Sequence, residues 1–329
     1  MTDQAFEAFI VEETADRQYR GSIKHVRVQD LPQGDVLIRV RYSSLNFKDV
    51  LSASGNKGVT RNYPHTPGFD AAGIVEKSNT PDLAPGDPVI VTSYDLGMNT
   101  AGGFGQYIRV PADWVVPLPE GLTLAESMIL GTAGFTAAMS IEKLVDIPAS
   151  AGPVLVTGAT GGVGSLAVAI LARLGYTVTA VSGKQEADFL TRLGASEIIN
   201  RQAFVEDNSA PIRKARWAAV IDTVGGDILS TAIKSTRAWG KITCCGLVAS
   251  PDLPITVFPF ILRGVSLHGI DSQHYPKAPR QALWKKLAHD WKPDNLEEMS
   301  THISLDQLNP AIEKMRKGGR KGRTVVDLG

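Results

Sequence analysis

A glycine-rich turn between an apolar strand and an apolar helix is the feature of this chain best suited to chemistry. Residues 154–171 read VLVTGATGGVGSLAVAIL, so a β-branched run ends in small residues and a helical pattern follows at once. Gly161 allows the backbone to approach a pyrophosphate, and Gly164 allows the helix to lie close to the strand. Unpaired N–H groups and the helix dipole would hold the anion. The residues that we predict to bind the phosphates are Thr160, Gly161, Gly162 and Val163.

The end of the next predicted strand indicates which nucleotide is bound. Enzymes that select NAD place Asp or Glu there, about 20 residues beyond the glycines, to bind the ribose 2′-hydroxyl. Here the strand ends in Val181-Ser182-Gly183-Lys184, without an acid. A hydroxyl, a free N–H and an ammonium group suit a 2′-phosphate, whereas the alternative is a solvated loop in which Lys184 has no specific role. The missing acid favours NADPH.

Two other classes of nucleotide enzyme lack their motifs in this chain. The same letters fit the Thr-Gly-x-x-x-Gly-x-Gly pattern of short-chain dehydrogenases, which usually also carry a catalytic Tyr-x-x-x-Lys. None of the seven tyrosines has a lysine four residues later. The chain also has no Gly-x-x-x-x-Gly-Lys-Ser/Thr, so a P-loop NTPase is unsupported.

Composition and charge are typical of a cytoplasmic metabolic protein. The 329 residues include 34 Lys+Arg and 34 Asp+Glu, so no electrostatic footprint for nucleic acid or a membrane is present. The first seven residues lack the charged-then-apolar pattern of a signal peptide. We expect the longest apolar helix at 163–174, which is too short to span a bilayer. The two cysteines, Cys244 and Cys245, are adjacent and cannot link distant segments, as expected in a reducing compartment.

The elements before the glycine turn are short β patterns. Strands are predicted at 36–42, 73–76, 88–91, 105–110 and 114–116. Proline and glycine separate these runs, which is typical of all-β domains. They predict a barrel-like domain of roughly 120 residues. A helix over 124–144 is expected to lead into the strand at Val154.

The region after the turn alternates strands and helices. Strands are predicted at 177–181, near Ile198, and at 218–222, 241–245 and 265–270, with helices at 185–193 and 229–235. This alternation is typical of a doubly wound parallel sheet that binds its ligand at the carboxyl edge. Beyond Asp271 we predict a helix over 279–289, a strand over 301–303, a helix over 306–316 and a last strand over 324–327.

This order of elements, from about Val36 to Leu328, resembles the medium-chain dehydrogenase/reductase superfamily. Four segments resemble its zinc-free quinone-oxidoreductase branch: 44–49 (SLNFKD), 67–73 (PGFDAAG), 131–137 (GTAGFTA) and 222–226 (DTVGG). Two more, 180–184 (AVSGK) and 259–263 (PFILR), resemble its acrylyl-CoA reductase subgroup. The resemblance implies an α/β fold with a GroES-like β-rich catalytic domain, residues 1–124 and 272–329. It also implies a Rossmann domain, a doubly wound parallel sheet that binds NADPH, at 125–271.

The residues also argue against zinc. In zinc alcohol dehydrogenases the segment that corresponds to Gly68-Phe69-Asp70 carries Gly-His-Glu, whose histidine binds the catalytic metal, and Phe69 offers no lone pair. Two cysteines cannot form a four-cysteine structural site, and the six histidines show no paired spacing. We therefore expect no metal. Without a Lewis acid, alcohol oxidation is hard, whereas hydride delivery to an electron-poor alkene or quinone remains feasible.

The loop at 46–49 supplies the candidate catalytic residues Asn46, Lys48 and Asp49. The resemblance places Asn46 near the nicotinamide and substrate, where its amide could donate to a carbonyl oxygen that gains charge. Capping of a helix that starts near Phe47 is an equal alternative. Phe47, where relatives often have Tyr, could flank the nicotinamide ring, which leaves the proton donor unassigned. Lys48 and Asp49 could form an ion pair behind the site or a solvated helix start.

Further candidate residues follow from the resemblance. Arg201 follows the third Rossmann strand and would lie beside the 2′-phosphate. Four residues would lie near the nicotinamide: Gly246, Leu247, Ile261 and Ser272. Without the resemblance, Leu247 and Ile261 would be interpreted as core. Near the C-terminus, Arg320, Lys321 and Arg323 could contact a CoA phosphate or NADPH, or form a solvated basic tail.

Together these features predict an NADPH-dependent reductase of an activated carbon–carbon double bond, with a short enoyl-CoA, acrylyl-CoA first, as substrate. One alternative keeps the fold and reduces quinones. Another is a nucleotide-bound RNA-binding or structural protein, against which the neutral charge and the lack of a basic run argue. We expect a homodimer with a small-molecule substrate and with no nucleic-acid or membrane partner.

Overall fold

The computed structural model describes residues 4–206, 209–294 and 296–329. The strands in these parts are β1 (Ala5–Glu13), β2 (Tyr19–Arg27), β3 (Val36–Ser44), β4 (Asp70–Ser78), β5 (Pro88–Thr92), β6 (Tyr107–Val110), β7 (Val115–Pro117), β8 (Val154–Thr157), β9 (Val178–Ser182), β10 (Ala195–Asn200), β11 (Trp217–Asp222), β12 (Thr236–Cys244), β13 (Ser266–Gly269), β14 (Ser300–Ser304) and β15 (Arg323–Asp327). The helices are α1 (Phe47–Ala53), α2 (Leu124–Glu142), α3 (Gly162–Arg173), α4 (Ala187–Arg192), α5 (Arg201–Val205), α6 (Gly226–Lys234), α7 (Phe258–Arg263), α8 (Lys277–Ala288) and α9 (Leu308–Arg316).

The chain divides into two compact units. Unit 1 consists of Met1–Thr132, Gln273–Ala288 and Leu296–Gly329. Unit 2 consists of Ala133–Ser272 and His289–Asn295. The first division falls inside α2, directly after a break in that helix: Gly131 has φ 50° and ψ −157°, which is not helical.

Unit 1 is built on a mostly antiparallel sheet, which is seven-stranded in the described residues and runs β14-β15-β3-β4-β5-β7, with β6 also paired to β3. Strand β3 shows why these residues form a half-buried sheet, because Val36, Ile38 and Val40 alternate into the core while Arg39 points out. The predicted strands of this unit are present. The sequence patterns did not predict the hairpin of β1 and β2, which is paired in register from Ala5↔Arg27 to Glu13↔Tyr19.

Unit 2 contains a six-stranded parallel sheet in the order β10-β9-β8-β11-β12-β13. All four residues of β8 are buried, as expected for a central parallel strand covered on both faces. The apolar side of α3 is also buried, including Leu166 and Ile170. The predicted α/β fold, a GroES-like domain with a doubly wound Rossmann sheet, is confirmed. The sequence patterns did not predict the short helices α5 and α7.

Helix α2 corrects one prediction from the sequence. Of the described helices, it is the one long and apolar enough to cross a membrane, and it is longer than the apolar helix expected at 163–174. That expectation about the longest apolar helix is therefore wrong. However, 78% of the apolar window of α2 is buried inside the protein, which is typical of a core helix.

Candidate active site

The glycine turn of unit 2 joins β8 to α3 in the way the sequence predicts. Gly158 has φ 59°, and a β-carbon on Gly164 would lie 2.3 Å from the carbonyl oxygen of Gly158, so only glycine fits this close approach. Gly161 is the N-cap of α3 in extended conformation, and no side chain caps the helix there. The first N–H groups of a 12-residue helix are therefore directed at the turn, where an anionic phosphate would be bound.

A buried carboxylate ties the carboxyl ends of β8 and β11 together. Asp222 Oδ1 accepts a 2.6 Å hydrogen bond from Thr157 Oγ1, and its Oδ2 accepts one of 2.8 Å from the N–H of Gly225. Thr223 Oγ1 donates back to the Thr157 carbonyl at 2.8 Å. Burial raises the pKa of Asp222 above its ordinary value. The hydrogen bonds from Thr157 to Asp222 and from Thr223 to Thr157 thus fix the distance between the ends of β8 and β11 beside the glycine turn.

The turn at 182–184 is organised around two side chains. Ser182 Oγ lies 3.3 Å from Thr160 Oγ1 and accepts the N–H of Lys184 at 3.0 Å, so it links the two predicted phosphate loops. A β-carbon on Gly183 would lie 2.9 Å from Cζ of Arg201, which places the guanidinium directly over this glycine. Burial lowers the pKa of Lys184, while nearby Glu186 opposes that change. Two basic groups therefore flank Gly183.

Of the other unit 2 residues predicted to line the nicotinamide, Gly246 follows the carboxyl end of β12 and Ser272 follows that of β13, whereas Ile261 lies on α7, before β13. A β-carbon on Gly246 would lie 1.9 Å from the Thr223 carbonyl oxygen, so glycine is required there. Ser272 Oγ accepts a 3.0 Å hydrogen bond from Thr136 Oγ1. Leu247 is 66% exposed and Ile261 is 68% exposed. The interpretation of these two as core residues is therefore wrong, and both side chains are free to contact a ligand.

In unit 1, Asp70 is the centre of a buried polar network. Its Oδ2 accepts from Ser44 Oγ at 2.5 Å and from Asn46 Nδ2 at 2.8 Å. Its Oδ1 accepts from Thr132 Oγ1 at 2.5 Å, and the Thr132 N–H lies 3.0 Å from both oxygens. Asp70 and Ser44 are fully buried. The carboxylate is thus saturated with donors and holds three segments of the unit together.

Arg323 lies in this network rather than at the surface. It is 3% exposed, and it donates from Nε to the Ile129 carbonyl at 2.8 Å and from Nη2 to Ser44 Oγ at 2.8 Å. Its Nη1 donates to Asn46 Oδ1 at 3.2 Å, and its Nη2 lies 3.9 Å from Asp70 Oδ2. The interpretation of Arg323 as part of a solvated basic tail is therefore wrong. Its contact with the cofactor stays a prediction.

Asp49 organises the loop that carries Asn46. Its Oδ2 accepts the backbone N–H of Asn46 at 2.7 Å, three residues earlier, in the manner of a helix capping box. Its Oδ1 accepts the N–H groups of Gly68 and Phe69 at 2.9 and 3.0 Å. Burial raises the pKa of Asp49 to about 7, with a further contribution from the Asp70 charge, against the three N–H donors that lower it.

The expected ion pair between Lys48 and Asp49 is not formed. Every hydrogen bond of the Asp49 carboxylate comes from the backbone, whereas Lys48 Nζ donates to Gln273 Oε1 at 2.6 Å. The ammonium also lies 5.3 Å from the ring centroid of Phe69, a cation–π distance. The alternative of a solvated helix start is also wrong for Asp49, which is fully buried.

Phe47 and Phe69 have opposite environments. Phe47 is exposed, as expected for a ring that contacts a ligand, whereas Phe69 is buried at 1% exposure. At the position that the resemblance assigns to a zinc-binding histidine, this chain therefore has a buried phenyl ring. Among the residues that the structure describes, no group of three or more His, Cys, Asp and Glu side chains could hold a metal ion.

The network also contains residues that the sequence reasoning did not assign to the site: Ser44, Asp70 and Thr132. All three stand in segments that carry the family resemblance, 44–49, 67–73 and 131–137. Asp70 and Thr132 are 62 positions apart in the chain, so no local periodicity could pair them. The available signal was strongest at Asp70, the one polar residue of the segment 67–73.

Two family models match this chain. Residues 32–120 match the alcohol dehydrogenase GroES-like domain, and residues 162–289 match the domain described as zinc-binding dehydrogenase. Together with the fold, these matches define a two-domain dehydrogenase/reductase.

Relatives of known name are similar over nearly the whole chain. The acrylyl-CoA reductase AcuI of Ruegeria pomeroyi is 42% identical over 98% of this chain and 99% of its own length. The "Putative quinone oxidoreductase YhfP" of Bacillus subtilis has the same identity and coverage. The chain therefore belongs to the medium-chain dehydrogenase/reductase superfamily, and it is an NAD(P)-dependent reductase.

Two solved structures carry a nicotinamide cofactor. The yhdH oxidoreductase of Salmonella enterica, in complex with NADP, is 40% identical over 98% of this chain and 100% of that chain, with a TM-score of 0.95. The yhfP protein of Bacillus subtilis with NAD bound is 42% identical over 99% and 100%, with a TM-score of 0.96. Proteins of this fold and similarity thus bind either cofactor.

Proposed function

We propose that this protein reduces the carbon–carbon double bond of a short enoyl-CoA with NADPH, converting acrylyl-CoA to propionyl-CoA. One hydride and one proton are added across the double bond, and NADP⁺ is released. The relative named acrylyl-CoA reductase, similar from end to end, supports the substrate class. The structural observation that carries the cofactor half of the proposal is the guanidinium of Arg201 over Gly183.

The residues of unit 2 fit a phosphorylated dinucleotide. The glycine turn leaves helix N–H groups for the pyrophosphate, and a β-carbon at Gly183 would displace Arg201 from its place over the turn. The 2′-phosphate would be held by Arg201, Lys184 and the Ser182 hydroxyl. Enzymes that select NAD have Asp or Glu at the end of this strand and offer no such basic partner to a 2′-phosphate. When bound, NADPH supplies the hydride.

Asn46 is the residue of unit 1 best prepared to bind a thioester carbonyl. Its Oδ1 accepts from Arg323 and one Nδ2 hydrogen is held by Asp70, so the orientation of the amide is fixed. The second Nδ2 hydrogen makes only a long contact of 3.3 Å with the Ser44 carbonyl. This N–H could instead donate a hydrogen bond to the thioester carbonyl oxygen of the substrate, which gains charge when the double bond is reduced. A fixed donor costs little reorganisation at that moment.

Quinone reduction is the second candidate. The relative from Bacillus subtilis that carries a quinone oxidoreductase name is as similar to this chain as the acrylyl-CoA reductase is. A quinone is also electron-poor enough to accept hydride without a metal. It has no CoA phosphates, however, so its binding would not depend on basic side chains.

Steady-state rates with NADPH against acrylyl-CoA, crotonyl-CoA, free acrylate and a benzoquinone separate these functions. We expect the highest kcat/KM with acrylyl-CoA, a lower value with crotonyl-CoA and little turnover of acrylate, whose carboxylate disfavours hydride attack. Asn46→Ala should lower kcat for the thioester, with the exposed Asn56→Ala as the matched control. A quinone that gives the highest kcat/KM, with no thioester turnover, would establish the alternative instead.

A further inference from the structure

A cavity of about 590 Å³ lies in unit 2, beside α5. Its wall includes four basic residues, Arg213, Lys214, Arg216 and Arg237, and the apolar side chains of Ile199, Phe204 and Trp217. Trp217 opens β11 and Arg237 is the second residue of β12, so this part of the wall lies at the amino ends of the two strands, whereas Ile199 lies near the carboxyl end of β10. The glycine turn follows the carboxyl end of β8, at the opposite edge of the parallel sheet.

The charge of this cavity is largely uncompensated. Arg216 pairs with Glu197 and its Cζ lies 4.4 Å from the Trp217 ring centroid. Among the residues that the structure describes, Arg213 donates to two carbonyl oxygens, those of Phe204 at 3.1 Å and Glu206 at 3.2 Å. Lys214 is exposed. Within the described parts of the chain, neither Arg213, Lys214 nor Arg237 forms an ion pair with a carboxylate, so the wall attracts anions.

The wall also carries a buried donor without an acceptor. Trp217 is 1% exposed, and its Nε1–H has no hydrogen-bond partner among the described residues. An unpaired buried donor is uncommon in folded proteins, because the donor loses its hydrogen bonds to water and gains none in the protein. A bound acceptor atom can remove that cost only after the indole moves, because its Nε1 lies below the accessible surface.

The backbone under the cavity is held in place. Arg263 donates from Nη1 to the carbonyls of Lys234 and Thr236, both at 2.9 Å, and from Nη2 to the carbonyl of Arg213. The N–H of Arg216 donates to the Ser235 carbonyl at 2.8 Å. Because these contacts join 213–217 to 234–236, the cations are presented on a fixed support rather than on a loose loop.

We propose that this cavity is a second ligand site that binds a small organic phosphate. The phosphoryl group is held by the unpaired cations, and an apolar body of the ligand packs against Ile199, Phe204 and the Trp217 ring. A phosphate fits better than a carboxylate because two negative charges and three acceptor oxygens match several cations at once. The cations of the wall lie at or just before the amino ends of β11 and β12, apart from the glycine turn, whereas Ile199 lies two residues before Arg201.

Calorimetric titration of the protein saturated with NADP⁺ tests the site, since the cofactor then occupies its own phosphate positions. The probe is phenyl phosphate, with inorganic phosphate and phenol as partial probes. We expect one saturable site for phenyl phosphate that weakens with added salt, and weaker binding of both partial probes. The absence of saturable binding, or equal affinity for inorganic phosphate, overturns the proposal.

Variants locate the binding on this wall. Lys214→Gln should weaken phenyl phosphate binding about tenfold through loss of one charge-assisted contact. Lys143→Gln, at an exposed lysine of the same unit that does not line the cavity, should leave it unchanged. Trp217→Phe keeps an aromatic ring, removes the N–H and should weaken binding several-fold, with the melting temperature as a check on folding. Equal affinity of wild type and Lys214→Gln contradicts the assignment.

Discussion

Asn46 donates from Nδ2 to Asp70 Oδ2 across 2.8 Å, so a fully buried carboxylate orients the amide that we propose as the substrate contact. The same carboxylate receives Ser44 and Thr132, and it is the acidic neighbour of the buried Arg323 guanidinium. Asn46 is therefore positioned by a network in which Asp70 and Ser44 are fully buried.

Asp70→Asn should destabilise the protein and disturb the site together. The new amide NH₂ would face donors, and Arg323 would keep a buried charge with no acid beside it except Asp49. Breaking a buried charge pair from one side typically costs about 3–5 kcal/mol. Chemical denaturation at neutral pH measures the loss, with the exposed Asp82→Asn as control. A loss of less than about 1 kcal/mol would show that the network contributes little.

Asp49 should make stability depend on pH. Its pKa is raised from 3.8 to about 7 in the fold, so between these values the folded protein holds a proton that the unfolded chain has released. The free energy of unfolding should therefore fall as pH rises through this window and level off above it. Asp49→Asn should flatten the profile, measured by denaturation from about pH 4.5 to 8.5. A variant profile as steep as that of wild type contradicts this assignment.

Lys184→Ala and Arg201→Ala should each weaken NADPH binding. Each removes one charge-assisted contact to the 2′-phosphate, worth on the order of 1–3 kcal/mol. Binding of NADH, which lacks that phosphate, should change little in either variant. Arg192→Ala, on the exposed side of α4, serves as the control. Fluorescence titration with both cofactors measures the effect, and equal kcat/KM for NADPH and NADH in the wild type would refute the cofactor assignment.

Purified protein should contain no stoichiometric zinc, because the buried Phe69 ring stands where a histidine ligand would be required. Strong chelators should leave both activity and melting temperature unchanged. Elemental analysis is the measurement, with a zinc alcohol dehydrogenase as the positive control. About one zinc per chain, removable with loss of activity, would reverse the prediction.

A homodimer is expected to form through the apolar surface beside β13, the end strand of the six-stranded sheet. Leu262 and Trp239 are exposed there, the latter at 80%, and the Trp239 ring lies against Gly264 at the end of α7. Leu262→Glu should shift the protein to monomer in sedimentation experiments, while Val145→Glu, also exposed, should not. A wild-type protein that is monomeric at high concentration rules the dimer out.

Local patterns predicted most of the fold because their causes are local. The strand–turn–helix at 154–171 can be predicted from 18 consecutive residues. The absence of Asp or Glu from the turn at 182–184 can also be read directly from the sequence. The buried network was beyond such patterns, since Asp49 meets Gly68 and Phe69 across 19 and 20 positions, and Arg323 meets Asn46 across 277. Local patterns also could not predict the exposure of Leu247 and Ile261, because an apolar residue type is compatible with both a core position and an exposed position at a ligand site.

The break in α2 at Gly131 has a chemical consequence for the residue after it. A continuous helix would commit the N–H of Thr132 to a carbonyl one turn earlier, whereas here it reaches both oxygens of Asp70. A β-carbon on Gly131 would lie 2.5 Å from Asp70 Oδ2, 2.7 Å from Ser44 Oγ and 2.9 Å from Arg323 Nη2. The break in the helix thus makes the N–H of Thr132 available as a hydrogen-bond donor to Asp70. The absence of a side chain at Gly131 leaves room for the Asp70 carboxylate to accept that hydrogen bond.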